Sequence, residues 1–270
     1  MQTRRRMPFF LLAIALLLVS MLLAACGSTT PTTTGSNGAL TDVTIGLGYV
    51  HDVQFSPFYV AIKKGYYKAV GLNVTTHPGI VTDLFAELVA NRHTFIFAGG
   101  DETLEARSKN LPVVDVSTLY QRYPVSLIVP DNSPIKTLAD LKGHSIGEPG
   151  PYGSTHTGLL ALLHQAGLTA NDVKLESIGF NQVDFLKQGR VDAVIGYTNN
   201  EPLQLRRLGM QVRTFDVSDY QPMISNGIVT TEKTLKDQKK MVDAFVQATI
   251  RGLNDVIADP AGALDASKSY

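Results

Sequence analysis

An α/β fold with largely parallel strands is predicted by three features of this chain. From Asp42 onward short β-branched runs alternate with helical patterns. The helical stretches carry start and stop signals, and the strand-like runs end in glycine joined to aromatic or polar residues. Strands read at Val43–Leu47, Leu72–Thr76, Thr94–Ala98, Val113–Thr118, Val125–Val129, around Ile146, and at Leu175–Ile178, Ala193–Gly196 and Val212–Asp216. Helices fall between them. The first has Ser56 as N-cap, Pro57 at its first position and Gly65 as terminator. A second runs from about Thr155 to Ala166 and stops at Gly167. A third keeps helical spacing through Val242, Phe245, Val246, Thr249, Ile250, Leu253 and Ile257 until Pro260.

The 270 residues carry 24 Lys+Arg against 24 Asp+Glu and are 44% hydrophobic, which excludes wholesale disorder and a polybasic nucleic-acid binder. One cysteine permits neither an internal disulfide nor a Cys-rich zinc site. With no tryptophan, stacking on a ligand falls to the ten Tyr and eleven Phe.

Residues 1–25 read as a secretory signal: Arg4–Arg6 form a positive segment, Phe9–Leu23 an apolar run, and Leu23-Ala24-Ala25-Cys26 a small-residue cleavage site. The run is short for a membrane-spanning helix, which needs roughly 20 apolar residues. Removing the three arginines from 24 leaves 21 basic residues against 24 acidic, a slightly acidic mature chain. Leu-Ala-Ala-Cys resembles a bacterial lipobox, which implies lipidation at Cys26. Residues 26–40, rich in Gly, Ser, Thr, Pro and Asn, read as a flexible tether. The folded part is therefore expected at the outer face of the cytoplasmic membrane, held by lipid.

Four strand ends carry the candidate site. They are Gly48-Tyr49-Val50-His51-Asp52, Gly99-Gly100-Asp101-Glu102, the stretch from Gly147 to Thr155, and Gly196-Tyr197-Thr198-Asn199-Asn200-Glu201-Pro202. Open α/β sheets bind ligands outside the carboxyl ends of their strands, so these loops are expected to meet at one cleft. Tyr49, Phe55, Tyr120, Tyr152 and Tyr197 would stack on a planar heterocycle. Asp52, Asp101, Glu102 and Glu201 would accept from ring N–H groups, amines or hydroxyls; Asn199, Asn200 and Asn226 both donate and accept. Each of these carboxylates has a helix-capping alternative, and each ring a core-packing one. Arg122 is the one candidate cation, and the Ser154-Thr155 helix start a candidate anion seat. A sulfonate or nitrate site would call for more basic side chains, so the acidic lining favours a neutral or weakly basic heterocycle.

Catalytic signals are missing. The sequence has no Gly-x-Ser-x-Gly, no His-Glu-x-x-His and no Walker loop, and a dinucleotide fingerprint begun at Gly46-Leu47-Gly48 meets His51 where its third glycine should be. The six histidines show no metal-ligand spacing.

The chain resembles the substrate-binding proteins of ABC importers related to thiamine-pyrimidine synthase. The resemblance is carried by the lipobox, Asp52-Val53-Gln54-Phe55-Ser56-Pro57-Phe58-Tyr59-Val60-Ala61, Gly65-Tyr66-Tyr67, Gly71-Leu72-Asn73-Val74, Gly99-Gly100-Asp101-Glu102, Asp140-Leu141-Lys142-Gly143 and Gly189-Arg190-Val191-Asp192-Ala193. Tyr120-Gln121-Arg122-Tyr123-Pro124 and Tyr197-Thr198-Asn199-Asn200-Glu201-Pro202 are most similar to the riboflavin-importing branch.

The resemblance implies a type 2 periplasmic-binding-protein fold: two α/β lobes, a ligand cleft and a double-crossover hinge. Lobe one would comprise residues 41–124 and 225–270 and lobe two 125–224, with crossings near Tyr123–Val125 and Pro222–Asn226. Family members usually continue past the point where this sequence stops, and Tyr270 reads as lying within a helix, so part of lobe one is expected beyond it. The implied function is capture of riboflavin and delivery to an ABC permease and its ATPase by a monomer without enzymatic activity, cofactor, metal or nucleic acid. The alternatives are a formylaminopyrimidine or hydroxymethylpyrimidine binder, a sulfonate/nitrate-type binder, or a sensor lobe. An iron-dependent pyrimidine-synthesis enzyme would need a cysteine-rich motif, which this chain lacks.

Overall fold

The computed structural model describes residues 39–270; the expected signal segment 1–25, Cys26 and the expected tether as far as Gly38 lie outside the described residues. The chain builds four strands, crosses over, builds five more, and returns to insert a tenth into the first sheet.

The first sheet begins with β1 (Thr41–Leu47), followed by α1 (Ser56–Lys63) and α2 (Tyr66–Ala69). Then come β2 (Leu72–Pro78), α3 (Val81–Val89), β3 (Phe95–Gly99), α4 (Gly100–Ser108) and β4 (Val113–Thr118). β3, Phe-Ile-Phe-Ala-Gly, is buried at every position, as a central strand covered on both faces must be. α3 buries Val81, Leu84, Phe85 and Leu88, the i, i+3, i+4, i+7 stripe of an amphipathic helix, against Ile96 and Ala98 of β3.

The second sheet is built from β5 (Val125–Pro130), β6 (Ser145–Glu148), α5 (Gly153–Gln165), β7 (Lys174–Ser177), α6 (Gln182–Lys187), β8 (Ala193–Tyr197), α7 (Glu201–Arg207) and β9 (Val212–Asp216). α8 (Val217–Tyr220) leads back to β10 (Asn226–Thr231), then α9 (Glu232–Asp237), α10 (Lys239–Ala258) and α11 (Pro260–Ser267).

The sheet orders are β2-β1-β3-β10-β4 and β7-β6-β8-β5-β9. β1 runs parallel to β2 (Thr41 opposite Leu72) and β3 (Ile45 opposite Phe95), as β6 does to β7 and β8. β10 is antiparallel to β3 and β4, and β5 to β8 and β9. The cause is the crossover: a strand arriving from the other lobe enters where the parallel strands end and must run against them. These entries set Asn226 opposite Gly99 and Val125 opposite Tyr197, at the carboxyl ends where the candidate loops begin.

Helix α10 returns to cover lobe one. Phe245 stacks on Phe95 (centroids 4.1 Å, 11°) and on Tyr67 (5.1 Å, 16°), and Thr249 Oγ1 meets the Tyr67 hydroxyl at 2.7 Å. A Cβ on Gly252 would sit 2.2 Å from the Pro57 carbonyl oxygen, so α10 approaches α1 this closely only with glycine there.

Some local expectations are corrected. Ser56 is the first residue of α1 and not its N-cap, because a 3-10 turn at Val53–Phe55, capped by Asp52 Oδ1 accepting from Gln54 N–H at 3.0 Å, runs into the helix. The Ser56 hydroxyl donates to the Val53 carbonyl and meets the Ser267 hydroxyl at 2.9 Å. Strand β10 was not marked by alternation because all six of its residues are buried, including Thr230 and Thr231. In α10 the buried stripe is Val242, Phe245, Ala248, Thr249 and Gly252, leaving Ile257 70% exposed. Tyr270 follows α11, which ends at Ser267, and its ring stacks on Tyr59 at 3.9 Å. Among the described residues no helix is long and apolar enough to cross a membrane.

Candidate functional site

The carboxyl ends of the two sheets face one cavity. Lobe one contributes Gly48 and Tyr49 after β1, Gln54 and Phe55 from the 3-10 turn, Ile80 and Val81 at α3, Phe97 of β3, Glu102 of α4 and Asn226 of β10. Lobe two contributes Pro149 through Thr155 in part, Phe180, Gln182, Tyr197, Asn200 and Glu201. The cavity encloses about 60 Å³. Tyr49 and Phe180, both in the lining, meet edge to face with ring centroids 4.6 Å apart.

At the end of β8, Glu201 starts α7, and its Oε2 turns back to accept the Tyr197 backbone N–H at 2.7 Å. Its Oε1 accepts a longer bond from Asn200 Nδ2, at 3.3 Å. Glu201 is 3% exposed, and burial pushes its carboxyl up to about 7. Burial also pushes the nearby Tyr49 hydroxyl up to about 12, with the Glu201 charge adding to it.

Across the cleft, Glu102 Oε2 accepts the Gly99 N–H at 2.7 Å, and its Oε1 accepts the Ser154 N–H of lobe two at 2.8 Å. Burial, then the adjacent Asp101, push Glu102 up to about 7. The Tyr197 side chain is half-buried, and its hydroxyl accepts from Asn226 Nδ2 at 3.3 Å. The other amide atom of Asn226, Oδ1, is buried and has no hydrogen-bond partner. A buried unpaired acceptor is costly unless something donates to it. Among the described residues no Lys, Arg or His lines the cavity.

Of the residues singled out in the sequence, Tyr49, Phe55, Glu102, Tyr152, Ser154, Thr155, Tyr197, Asn200, Glu201 and Asn226 come together here. Asp52, Asp101, Tyr120, Arg122 and Asn199 do not line the cavity. Asp52 caps the 3-10 turn, and Asp101 accepts from the Tyr123 hydroxyl and from Ser154 Oγ. Tyr120 packs edge to face on Phe97, and its hydroxyl donates to the Gln54 carbonyl at 2.9 Å. Arg122 is exposed and bonded to Ser218 and Asp219; with Asn199 it lines a separate hollow beside the crossovers. The expected cation of the site is thus consumed by a surface ion pair.

Ile80, Val81, Phe180 and Gln182 were not anticipated. They follow β2 and β7, where Pro78-Gly79-Ile80 and Ile178-Gly179-Phe180 repeat the strand-end glycine pattern that marked the other four loops. Among the described residues no group of three or more His, Cys, Asp or Glu could hold a metal ion.

The two raised carboxyls make stability depend on pH. In the unfolded chain each would titrate near 4.5, but in the folded state each holds its proton to about 7. At these two sites the native state therefore binds more protons across this window, so their contribution to stability is fully present below about 4.5 and is lost as pH rises through about 7. The melting temperature should drop by several degrees between these limits, and Glu201→Gln should flatten the slope. A melting temperature that rises across the window would contradict the assignment.

Two mixed α/β sheets on a double crossover, facing each other across a cleft, define a periplasmic-binding-protein fold. The aliphatic sulphonate binding protein SsuA of Escherichia coli has the same fold, with a TM-score of 0.72 and 17% identity over 86% of this chain and 79% of that one. Residues 52–263 match the NMT1/THI5-like family, and the chain belongs to it. The riboflavin-binding protein RibY of Chloroflexus aurantiacus is 34% identical over 94% of this chain and 76% of its own length. The formylaminopyrimidine-binding protein of Halalkalibacterium halodurans is 27% identical over 93% and 76%. More distant relatives include proteins named 4-amino-5-hydroxymethyl-2-methylpyrimidine phosphate synthase.

Proposed function

We propose that this protein is a lipid-anchored, extracytoplasmic receptor that captures riboflavin between its lobes and hands it to an ABC permease, without catalysing a reaction. The lobes are residues 41–124 with 225–270, and 125–224, turning about the two crossovers; the Ser225 hydroxyl donating to the Arg122 carbonyl at 2.9 Å ties those segments together. Cys26 carries the lipid. The ten singled-out residues that line the cavity form the contact set.

The observation that carries this reading is the chemistry of the lining: aromatic walls, two carboxyl groups, an unpaired Asn226 acceptor and no basic side chain. Such a site suits an uncharged planar ring with N–H and hydroxyl donors, which is a description of riboflavin. The identity to RibY supports the same ligand. Because the cavity volume is about 60 Å³ and Tyr49 touches Phe180 across it, a three-ring heterocycle is expected to need lobe opening and reclosure. A thiamine-pyrimidine precursor is the second reading. The small enclosed volume favours it, as does the formylaminopyrimidine-binding relative.

Titrating the full chain into riboflavin is expected to quench flavin fluorescence and to raise the melting temperature as RT ln(1 + [L]/Kd). Stabilisation by an aminomethylpyrimidine with riboflavin silent would transfer the site to the second reading. Silence from both would defeat each.

A further inference from the structure

We infer that Glu102 is a specificity-determining residue: its carboxyl group occupies the first turn of α5 from across the cleft and thereby excludes ligands that carry a negative charge. The inference rests on the cleft being the ligand site, as proposed above, and not on which neutral ligand it takes.

Helix N-termini present unpaired N–H groups and attract anions. The residue at the N-cap of α5, Tyr152, makes no side-chain capping bond. The cap comes instead from the other lobe, 52 residues away in sequence, where Glu102 Oε1 accepts the Ser154 N–H at 2.8 Å and Asp101 Oδ1 accepts from Ser154 Oγ at 3.0 Å. The approach is built into both partners. Gly153 holds φ +74, and a Cβ there would lie 3.0 Å from Glu102 Oε1. On the far side, Glu102 Oε2 is anchored by the Gly99 N–H at 2.7 Å, and the Tyr123 hydroxyl reaches both Asp101 Oδ2 and the Ser154 carbonyl.

An anionic ligand would have to displace a buried carboxyl group from this seat, in a cavity whose lining offers no basic side chain. SsuA, named for sulphonates, shares the fold, so the fold itself does not forbid an anion. In this chain the first turn of α5 is taken by the Glu102 side chain, which also joins the two lobes.

The test compares the full-length wild type with Glu102→Ala and Glu102→Gln by calorimetric titration against ethanesulfonate, inorganic phosphate and riboflavin, with melting curves as the check on folding. Wild type is expected to show no saturable binding of either anion at millimolar concentration. Glu102→Ala should bind at least one of them ten times more tightly or better, with Glu102→Gln in between. No gain in a cooperatively melting Glu102→Ala overturns the inference. If that variant fails to fold, the near-isosteric Glu102→Gln decides it: a gain supports the inference and none overturns it. Anion gain with riboflavin silent in wild type leaves the inference standing and removes the flavin reading. Riboflavin binding to wild type with no anion gain in either variant does the reverse.

Discussion

Replacing Glu201 with alanine is expected to weaken riboflavin binding at least tenfold while leaving a cooperatively folded protein. The carboxyl group is buried, lines the cavity, and has one oxygen held by the Tyr197 N–H and the other reached by a longer bond from Asn200. Of the two Glu201 oxygens, this second one has the weaker partner and is the one left to receive a donor from the ligand. Losing a hydrogen bond to a charged or strongly polar acceptor costs roughly 1.5–3 kcal/mol, and about 1.4 kcal/mol is a factor of ten in affinity. Glu201→Gln keeps one acceptor oxygen and should lose less than Glu201→Ala. Tyr197→Ala acts in the same direction by removing a ring of the wall. Fluorescence titration of each variant beside its melting curve separates lost contact from lost fold. Wild-type affinity in both Glu201→Ala and Tyr197→Ala would move the ligand away from the end of β8.

Phe245→Ala is expected to cost about 3–5 kcal/mol of stability, among the largest single-residue effects in the molecule. The ring is fully buried, sandwiched between Phe95 and Tyr67, and reaches lobe one only because the chain returns after the second crossover. The cost combines lost transfer energy, the cavity left behind, and stacking contributions of about 0.5–1.5 kcal/mol per ring pair. Urea unfolding followed by circular dichroism measures it. A loss below about 1 kcal/mol would mean that α10 is not a structural part of lobe one. The same change should weaken ligand capture only through the folded fraction, which distinguishes it from Glu201→Ala.

The site was legible wherever a strand and its loop both left local marks. Gly48-Tyr49, Gly99-Gly100 and Gly196-Tyr197 each follow an apolar run, and the chain direction of a parallel strand then dictates which end of the sheet they occupy. Phe180 and Gln182 obey the same rule after β7, a strand the sequence marks at Leu175–Ile178, and the glycine of Ile178-Gly179-Phe180 is the signal that points to them. Arg122 illustrates the opposite failure. It lies beside Tyr123 at a crossover, yet its partner Asp219 is 97 residues away, and only the folded chain shows that the pair forms outside the cavity. Strand β10 escaped notice because its insertion between β3 and β4 buries both faces, which erases the alternation that marks a half-exposed strand.

By itself, the sequence determined the α/β alternation, the positions of nine of the ten strands and of three of the helices, and an acidic, aromatic character for the strand-end loops. These are properties of local periodicity, turn chemistry and composition, which short stretches of chain carry within themselves. The tertiary structure alone decided which of those loop residues share a cavity, which carboxylates cap helices, and that Glu102 reaches Ser154 across the cleft. Those outcomes depend on strand order and on how the two lobes close, and no interaction between neighbours in sequence encodes either.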